Sequence, residues 1–294
     1  MKTPVFTGAA VAIVTPFKDG GVDFAKLDEL CEMHVKEGTD AIVVAGTTGE
    51  ASTMPDEEHL SVIARVVRTV AGRIPVIAGA GSNDTAHGIQ LCREAEKLGA
   101  DALLLVTPYY NKASQKGLVL HFTAMAEAVR IPIIVYNVPG RTGVNINPET
   151  CAALAKVPNI VGLKECNTAQ APEVAALCGD DLVLYSGEDG QVLPILSLGG
   201  KGVISVMANI IPADTHRLVA SWLEGDLAGS LRLQLKALPL VKALFSDVNP
   251  IPVKAAMNLL GMDVGDCRLP LCGMSDAGLA GLRAELAGYG LLKA

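Results

Sequence analysis

Eight short apolar runs recur along the chain, and amphipathic stretches separate them. Each run is continuously apolar rather than alternating with polar residues, which is typical of parallel strands that are buried on both faces. The stretch after residue 22 instead carries Phe24, Leu27, Leu30 and Cys31 at helical spacing and ends at Gly38. The pattern predicts strands over residues 9–17, 40–48, 75–81, 101–110, 132–140, 160–167, 182–189 and 202–209.

Eight strand–helix units without a large interruption predict an α/β fold, a (β/α)8 TIM barrel with a C-terminal helical domain. We expect residues 1–230 to form the catalytic barrel and residues 231–294 to form the helical region, because no clear strand follows residue 211. A doubly wound open sheet is the alternative. Its nucleotide-binding signature is weak, because Asp84 stands where the third glycine should be.

Charge and cysteine content exclude several kinds of partner and compartment. The chain has 294 residues and a formal net charge of −7, with no basic stripe, so we expect no nucleic-acid partner and no anionic membrane partner. No apolar run is long enough to span a bilayer, and the N-terminus lacks the apolar core of a signal peptide. Seven cysteines without a C-x-x-C pair favour a reducing, cytoplasmic location.

Polar side chains follow most of the predicted strands. In a parallel barrel the carboxyl ends of all strands meet at one rim, where active sites form. So many reactive groups at one rim indicate an active site rather than a stabilising set. The polar rim residues are Thr15, Thr47, Thr48, Glu50, Thr107, Tyr109, Tyr110, Tyr136, Asn137, Arg141, Lys164, Glu165, Ser186 and Ser205.

Lys164, at the end of the sixth predicted strand, is the strongest candidate for covalent chemistry. A lysine with its ordinary pKa is protonated and cannot attack a carbonyl, but burial at the end of a strand favours the neutral amine. The neutral amine condenses with a keto group to a Schiff base. Alternatively, Lys164 extends to the rim or pairs with Glu165, although neighbours on a strand point to opposite faces.

Four further rim residues have both a functional and a structural interpretation. Tyr136 could exchange a proton beside the lysine, or pack at the edge of the core. Arg141 has a guanidinium group that could bind a carboxylate through two parallel hydrogen bonds, or it lies on a surface loop. Thr47 and Thr48 could hold a small carboxylate, or cap a helix. The five histidines form no cluster, so we expect no metal site.

A series of motifs points to a known family. Together they strongly resemble the 4-hydroxy-tetrahydrodipicolinate synthase (dihydrodipicolinate synthase) family, whose members are pyruvate-dependent class I aldolases and lyases. The resemblance covers nearly the whole chain and implies a TIM barrel with a C-terminal helical domain, commonly a homotetramer built as a dimer of dimers. The motifs are GTTGE (46–50), TPYYN (107–111), YNVPGRTG (136–143), GLKECN (162–167), SGED (186–189), GGKGVISVMAN (199–209) and NPIPVK (249–254).

The resemblance implies four catalytic residues. Lys164 would form the Schiff base with pyruvate. Tyr136 would shuttle protons, and Thr47 would link it to Tyr110, which in this family reaches in from the neighbouring subunit. The enamine carbon would attack L-aspartate 4-semialdehyde, and cyclisation would release the enzyme, in the diaminopimelate and lysine pathway. The resemblance implies no metal and no organic cofactor.

The resemblance also implies four substrate-binding residues. Thr48 would hold the pyruvate carboxylate, and Arg141 would bind the carboxylate of L-aspartate 4-semialdehyde. Gly187 and Ile204 would line the site through their backbone carbonyls. N-acetylneuraminate lyase and the 2-keto-3-deoxy sugar-acid aldolases share the lysine and tyrosine, so they remain the alternative enzyme class. GRTG and GTT favour the synthase. A barrel kept as a keto-acid sensor or interaction protein is a third interpretation.

The resemblance further implies a lysine-binding allosteric pocket at the tight-dimer interface. Two of its positions depart from the lysine-sensitive pattern, which has a histidine where this chain has Asp56 and a glutamate where it has His87. His87 would remove an acceptor for the lysine ammonium, so the sequence does not predict strong inhibition. The matching positions are Ala51, Ser52, Asp56, His59, Asn83, His87 and Tyr109.

Overall fold

The computed structural model describes residues 2–293. Within this range eight parallel strands close into a barrel, in which each strand pairs with the strands before and after it in the chain and the eighth pairs with the first. The predicted TIM barrel is therefore confirmed. The barrel strands are β1 Gly8–Ala12, β2 Ala41–Val44, β3 Val76–Gly79, β4 Ala102–Val106, β5 Ile133–Asn137, β6 Ile160–Glu165, β7 Val183–Ser186 and β8 Gly202–Ser205.

The strands are shorter than the apolar runs that predicted them. The run 9–17 contributes only Gly8–Ala12 to the barrel, and its end, Phe17–Lys18, pairs with Gly21–Val22 in a small antiparallel ribbon. Residues after a barrel strand remain buried in rim loops, so hydrophobicity alone cannot show where ladder hydrogen bonds stop.

Helices surround the barrel and continue beyond it. The helix Asp56–Val70 begins after Pro55 with Asp56, Glu57 and Glu58 in its first turn, where carboxylates interact favourably with the helix dipole. The helices are α1 Phe24–Lys36, α2 Asp56–Val70, α3 Thr85–Lys97, α4 Gln115–Glu127, α5 Pro139–Thr142, α6 Pro148–Leu154, α7 Ala171–Cys178, α8 Val192–Ser197, α9 Pro212–Leu223, α10 Leu227–Leu244, α11 Ile251–Leu259 and α12 Asp276–Tyr289.

The C-terminal helices pack on the barrel rather than standing apart from it. Helix α9 contacts β1, α10 contacts α8, and α10, α11 and α12 contact one another. The division at residues 230/231 falls inside α10, so the assignment of two domains stays a prediction. Between residues 2 and 293 no helix is both long and apolar enough to cross a bilayer.

Two apolar layers stabilise the barrel. The outer layer lies between the strands and the surrounding helices, and the inner layer fills the barrel with side chains such as Ile77, Leu104 and Ile204. Tyr185 belongs to the inner layer, where its ring stacks on Phe6 with centroids 4.4 Å apart and its hydroxyl donates to the Phe6 carbonyl at 2.8 Å. The barrel interior is therefore a packed core, and chemistry is confined to its rim.

A buried ion pair joins the C-terminal helices to the rim. Lys254 of α11 donates to Glu50 Oε1 at 2.9 Å and to the carbonyls of Thr15 and Asp266 at 3.1 and 2.8 Å. The side chains of Lys254 and Glu50 are 2% and 1% exposed. The other Glu50 oxygen accepts from the Arg268 backbone N–H at 2.9 Å. Glu50 directly follows the GTTG segment, so this network anchors the loop after β2.

We predict that Lys254→Met lowers the free energy of unfolding by about 3–5 kcal/mol, because it leaves the Glu50 carboxylate buried without its cation. Chemical denaturation of the purified chain measures this change. Lys97→Met is the matched control, since Lys97 pairs only on the surface with Glu94 and should change stability by less than about 1 kcal/mol. Equal small effects of both substitutions would contradict the anchoring role.

Candidate active site

Lys164 and Tyr136 lie side by side at the carboxyl ends of neighbouring strands. The register of β5 and β6 pairs Tyr136 with Lys164, and the lysine Nζ lies 4.2 Å from the centre of the tyrosine ring. Both side chains are buried, at 6% and 7% exposure. On β6, Lys164 faces the same way as Gly162, whose missing side chain would meet Tyr185 and Ile134 inside the barrel.

Burial shifts the pKa values of both residues. It lowers the pKa of Lys164, and nearby Arg141 acts in the same direction, whereas Cys166, Asp189 and Glu188 oppose the shift. Burial raises the pKa of Tyr136 well above its usual value. The site therefore favours an uncharged amine beside a protonated phenol, a nucleophile with an acid.

Glu165 does not pair with Lys164, as the strand geometry predicts. Its carboxylate accepts from Asn137 Nδ2 at 2.8 Å, from the Asn167 N–H at 2.6 Å and from Gln170 Nε2 at 2.9 Å. Burial raises the pKa of Glu165 to about 7, although these donors oppose the shift. Asn137 and Glu165 are also register partners, so this bond reinforces β5 and β6 one residue beyond the Tyr136–Lys164 pair.

The predicted proton relay is not assembled inside one chain. Thr47 is exposed in the loop after β2, and Tyr110 is 90% exposed with a backbone φ of +75°. Among residues 2–293 no hydrogen bond joins Tyr136 to either residue, and the Tyr136 hydroxyl instead contacts Cys166 Sγ at 4.0 Å. Cys166 is a neighbour that the sequence reasoning did not consider.

The two predicted carboxylate-binding residues meet at a third residue. Thr48 is 3% exposed, and its Oγ1 accepts from Asn249 Nδ2 at 3.0 Å. Arg141, in α5, is exposed and donates from Nη2 to the Asn249 carbonyl at 3.0 Å. Asn249 opens the NPIPVK motif, which contributed to the resemblance but suggested no role for this residue.

The other rim hydroxyls stabilise loops instead of facing the site. Thr15 donates to the Gly49 carbonyl at 2.7 Å and Ser186 to the Glu188 carbonyl at 2.8 Å. Each donates to a backbone carbonyl, Thr15 to a different loop and Ser186 to its own, and strand-end position alone could not distinguish them from Thr48. Among residues 2–293 no group of three His, Cys, Asp or Glu side chains is arranged to hold a metal ion.

Comparison with known proteins identifies the family. Residues 5–287 match the model of the "Dihydrodipicolinate synthetase family". The chain belongs to this family. The 4-hydroxy-tetrahydrodipicolinate synthase of Acetivibrio thermocellus is 57% identical over 292 residues, covering 99% of this chain and 100% of the relative. The resemblance inferred from the motifs is thereby confirmed.

Solved structures of family members share this fold throughout. The dihydrodipicolinate synthase from Aquifex aeolicus superimposes with a TM-score of 0.95 at 45% identity, covering 98% of this chain and 100% of the other. DHDPS from Cyanidioschyzon merolae with lysine bound gives a TM-score of 0.95 at 41% identity, covering 99% and 100% of the two chains.

One cavity is lined by two of the predicted catalytic residues, Thr47 and Tyr136, and by several positions of the predicted lysine pocket. It has a volume of about 420 Å³, and Thr47, Tyr136 and Arg141 line it together with Asp56 and His87. His87 Nε2 lies 3.0 Å from Asp56 Oδ2. The lysine-sensitive pattern has a histidine and a glutamate at these two positions; here an aspartate and a histidine stand there in the opposite order, and they contact each other.

Gly187 and Ile204 come from the part of the barrel that follows the lysine strand: Gly187 comes directly after β7, and Ile204 lies in β8. Ile204, in β8, is 1% exposed and packs in the inner layer with Tyr136. Gly187 follows β7, and its N–H donates to the Glu165 carbonyl at 2.8 Å. A Cβ at this position would overlap Cys166 Sγ and lie 3.1 Å from the Glu165 carbonyl oxygen. The close approach of the two strand ends therefore requires glycine here.

We predict that Gly187→Ala destabilises the chain by about 1–3 kcal/mol through overpacking. It should also slow Schiff-base formation, because the displaced Cys166 sulfur is pushed against Tyr136. Adding Cys166→Ala removes the overlapping sulfur and should restore part of both losses. Thermal unfolding and the rate of pyruvate-dependent borohydride inactivation measure the two effects.

The matched control is Gly273→Ala, where a Cβ would meet nothing within 4 Å. If the Gly187→Ala and Gly273→Ala variants behave alike, the close approach of the strand ends affects neither stability nor the rate of Schiff-base formation.

Proposed function

We propose that this chain condenses pyruvate with L-aspartate 4-semialdehyde to 4-hydroxy-tetrahydrodipicolinate, a step of diaminopimelate and lysine biosynthesis. The reaction would be that of a Schiff-base-forming lyase. The observation that carries the proposal is the buried Lys164 amine beside Tyr136, beneath a rim that offers Thr48 and Arg141 to carboxylates.

The first half-reaction uses Lys164 as the nucleophile. Its neutral amine adds to the keto carbon of pyruvate, the oxygen leaves as water, and an imine forms. Tyr136, which its raised pKa keeps protonated, would give the departing oxygen its proton. Loss of a methyl proton from the imine then yields the enamine.

The second half-reaction joins the two substrates. The enamine carbon attacks the aldehyde carbon, and the new alkoxide takes up a proton. The amino group of the former semialdehyde then attacks the imine carbon, which closes the ring and frees Lys164. Arg141 lies at the cavity lining with its guanidinium exposed, so it is available to the carboxylate of the second substrate.

We propose that the active assembly is a homotetramer in which Tyr110 completes the relay of a neighbouring subunit through Thr47. The support is physical: a tyrosine that is 90% exposed, and held at a φ that non-glycine residues rarely adopt, is costly without a partner. A cytoplasmic location is consistent with the seven cysteines, which are all free thiols.

We further propose that lysine, the end product of the pathway, inhibits this chain weakly. The carboxylate that could accept from a lysine ammonium is Asp56, and it already contacts His87 at 3.0 Å. His87 also contacts Ser82 Oγ through Nδ1 at 3.1 Å. A lysine entering this part of the cavity would have to replace the contact between Asp56 and His87.

We expect borohydride in the presence of pyruvate to inactivate the protein and to place a reduced three-carbon adduct on Lys164. Peptide mass spectrometry locates the adduct, and Lys164→Ala should abolish it. The trapped protein should no longer turn over pyruvate and the semialdehyde. A coupled reductase assay measures this turnover. An adduct on a different lysine would refute the assignment.

The same preparation decides between the substrate classes. Rapid cleavage of N-acetylneuraminate or a 2-keto-3-deoxy sugar acid, without turnover of the semialdehyde, would favour the aldolase alternative. A trapped Lys164 with no turnover of any aldehyde would favour a keto-acid sensor.

We also predict the pH dependence of adduct formation. Only the neutral amine attacks, so the initial rate should rise with pH as Lys164 loses its proton. Burial lowers the pKa of Lys164, so the rate should level off below the ordinary lysine value of 10.5. Quenching with borohydride at several pH values, at constant pyruvate, measures the midpoint. A midpoint at or above 10.5 would show that burial does not activate the amine.

A further inference from the structure

We propose that Asn249 is a positioning residue that directs the Thr48 hydroxyl toward the carboxylate of pyruvate. This inference rests on the proposed function. Asn249 precedes α11, in the C-terminal part of the chain, and is 5% exposed. It is 201 residues away from Thr48 in sequence, yet their side chains are hydrogen-bonded at 3.0 Å.

The direction of that hydrogen bond decides what Thr48 can do. A hydroxyl has one hydrogen and two lone pairs, whereas the amide nitrogen of asparagine only donates. Because Asn249 Nδ2 donates to Thr48 Oγ1, the threonine hydrogen is left for another acceptor. Within residues 2–293 the Thr48 side chain donates no hydrogen bond. A carboxylate, which accepts only, is the complementary ligand.

The second polar atom of the Asn249 side chain, Oδ1, also indicates that this residue does more than stabilise the fold. Asn249 Oδ1 is buried and has no hydrogen-bond partner among the described residues. An unsatisfied buried oxygen lowers stability, so an apolar residue could fill this position at smaller cost. The side chain is therefore better explained by its contact with Thr48 than by packing.

Asn249 uses different atoms for the two substrate-binding residues. Its side chain contacts Thr48, whereas its backbone carbonyl accepts from Arg141 at 3.0 Å. A substitution of the side chain keeps that carbonyl. The pyruvate-binding and semialdehyde-binding effects of Asn249 can therefore be separated by mutation.

The test measures KM for each substrate and the pyruvate concentration that half-saturates borohydride trapping of Lys164. We expect Asn249→Ala to raise both pyruvate values about three- to tenfold, the typical effect of losing one hydrogen bond, and to leave the semialdehyde KM within about twofold. Arg141→Ala should show the opposite pattern, with the larger effect on the semialdehyde.

A double substitution tests whether Asn249 acts through Thr48. In a Thr48→Val background, which removes the hydroxyl at nearly constant volume, Asn249→Ala should cause no further change in the pyruvate values. Asn249→Asp should weaken pyruvate binding more than Asn249→Ala, because a carboxylate would accept the hydroxyl hydrogen and turn it away from the substrate.

Asn258→Ala, in the helix α11 that follows Asn249, is the matched control. Asn258 donates to the Gly265 carbonyl at 3.0 Å and accepts from the Val264 N–H at 2.8 Å, without contact to Thr48. The Asn258→Ala substitution should lower the unfolding temperature without changing the pyruvate concentration that half-saturates trapping. Two outcomes would overturn the proposal: additive effects of Thr48→Val and Asn249→Ala, or equal shifts in both substrates. Trapping needs only pyruvate, so the test of additivity can be carried out even if the semialdehyde is not the second substrate.

Discussion

The register between β5 and β6 is the constraint on which the site depends. It sets Tyr136 beside Lys164 and, one residue further, Asn137 beside Glu165. The two pairs face opposite sides of the sheet, since successive side chains alternate. One pair places an amine and a phenol at the site, while the other hydrogen-bonds the two strand ends behind it. A slip of one residue would exchange the two faces and place a carboxylate where the nucleophile should be.

The rim above this pair is built from distant parts of the chain. The loop after β2 carries Thr47 and Thr48, and the segment around α11 reaches it twice, through Lys254 on Glu50 and through Asn249 on Thr48. The C-terminal helices are therefore more than a cover for the barrel. They fix the loop after β2 against the segment around α11 through two buried polar contacts, one to Glu50 and one to Thr48.

The sequence predicted the barrel well because its signals are local. Each buried strand is a continuous apolar run, and a parallel barrel necessarily brings strand ends together, so Lys164, Tyr136 and Arg141 could be placed at one rim. The contact between Asn249 and Thr48 could not be predicted, since 201 residues separate the two in the chain. Thr15 and Ser186 looked equivalent to Thr48, because strand-end position does not show whether a hydroxyl already donates to a backbone carbonyl, as Thr15 does to Gly49 and Ser186 to Glu188.

The site must meet two electrostatic demands that oppose each other. The nucleophile has to be neutral, which favours burial and nearby positive charge, whereas a cationic imine formed later is favoured by nearby negative charge. Burial is the largest influence on the Lys164 pKa, and Arg141 acts in the same direction. Asp189 and Glu188 act in the opposite direction, and Asp189 is itself buried, with Oδ2 accepting from the Val206 and Met207 N–H groups at 3.0 and 2.7 Å. The acids are thus near enough to stabilise a cation at Nζ, yet burial outweighs them in the free enzyme. In the proposed mechanism, this balance would let one position favour the neutral amine before pyruvate binds and tolerate the charged imine afterwards.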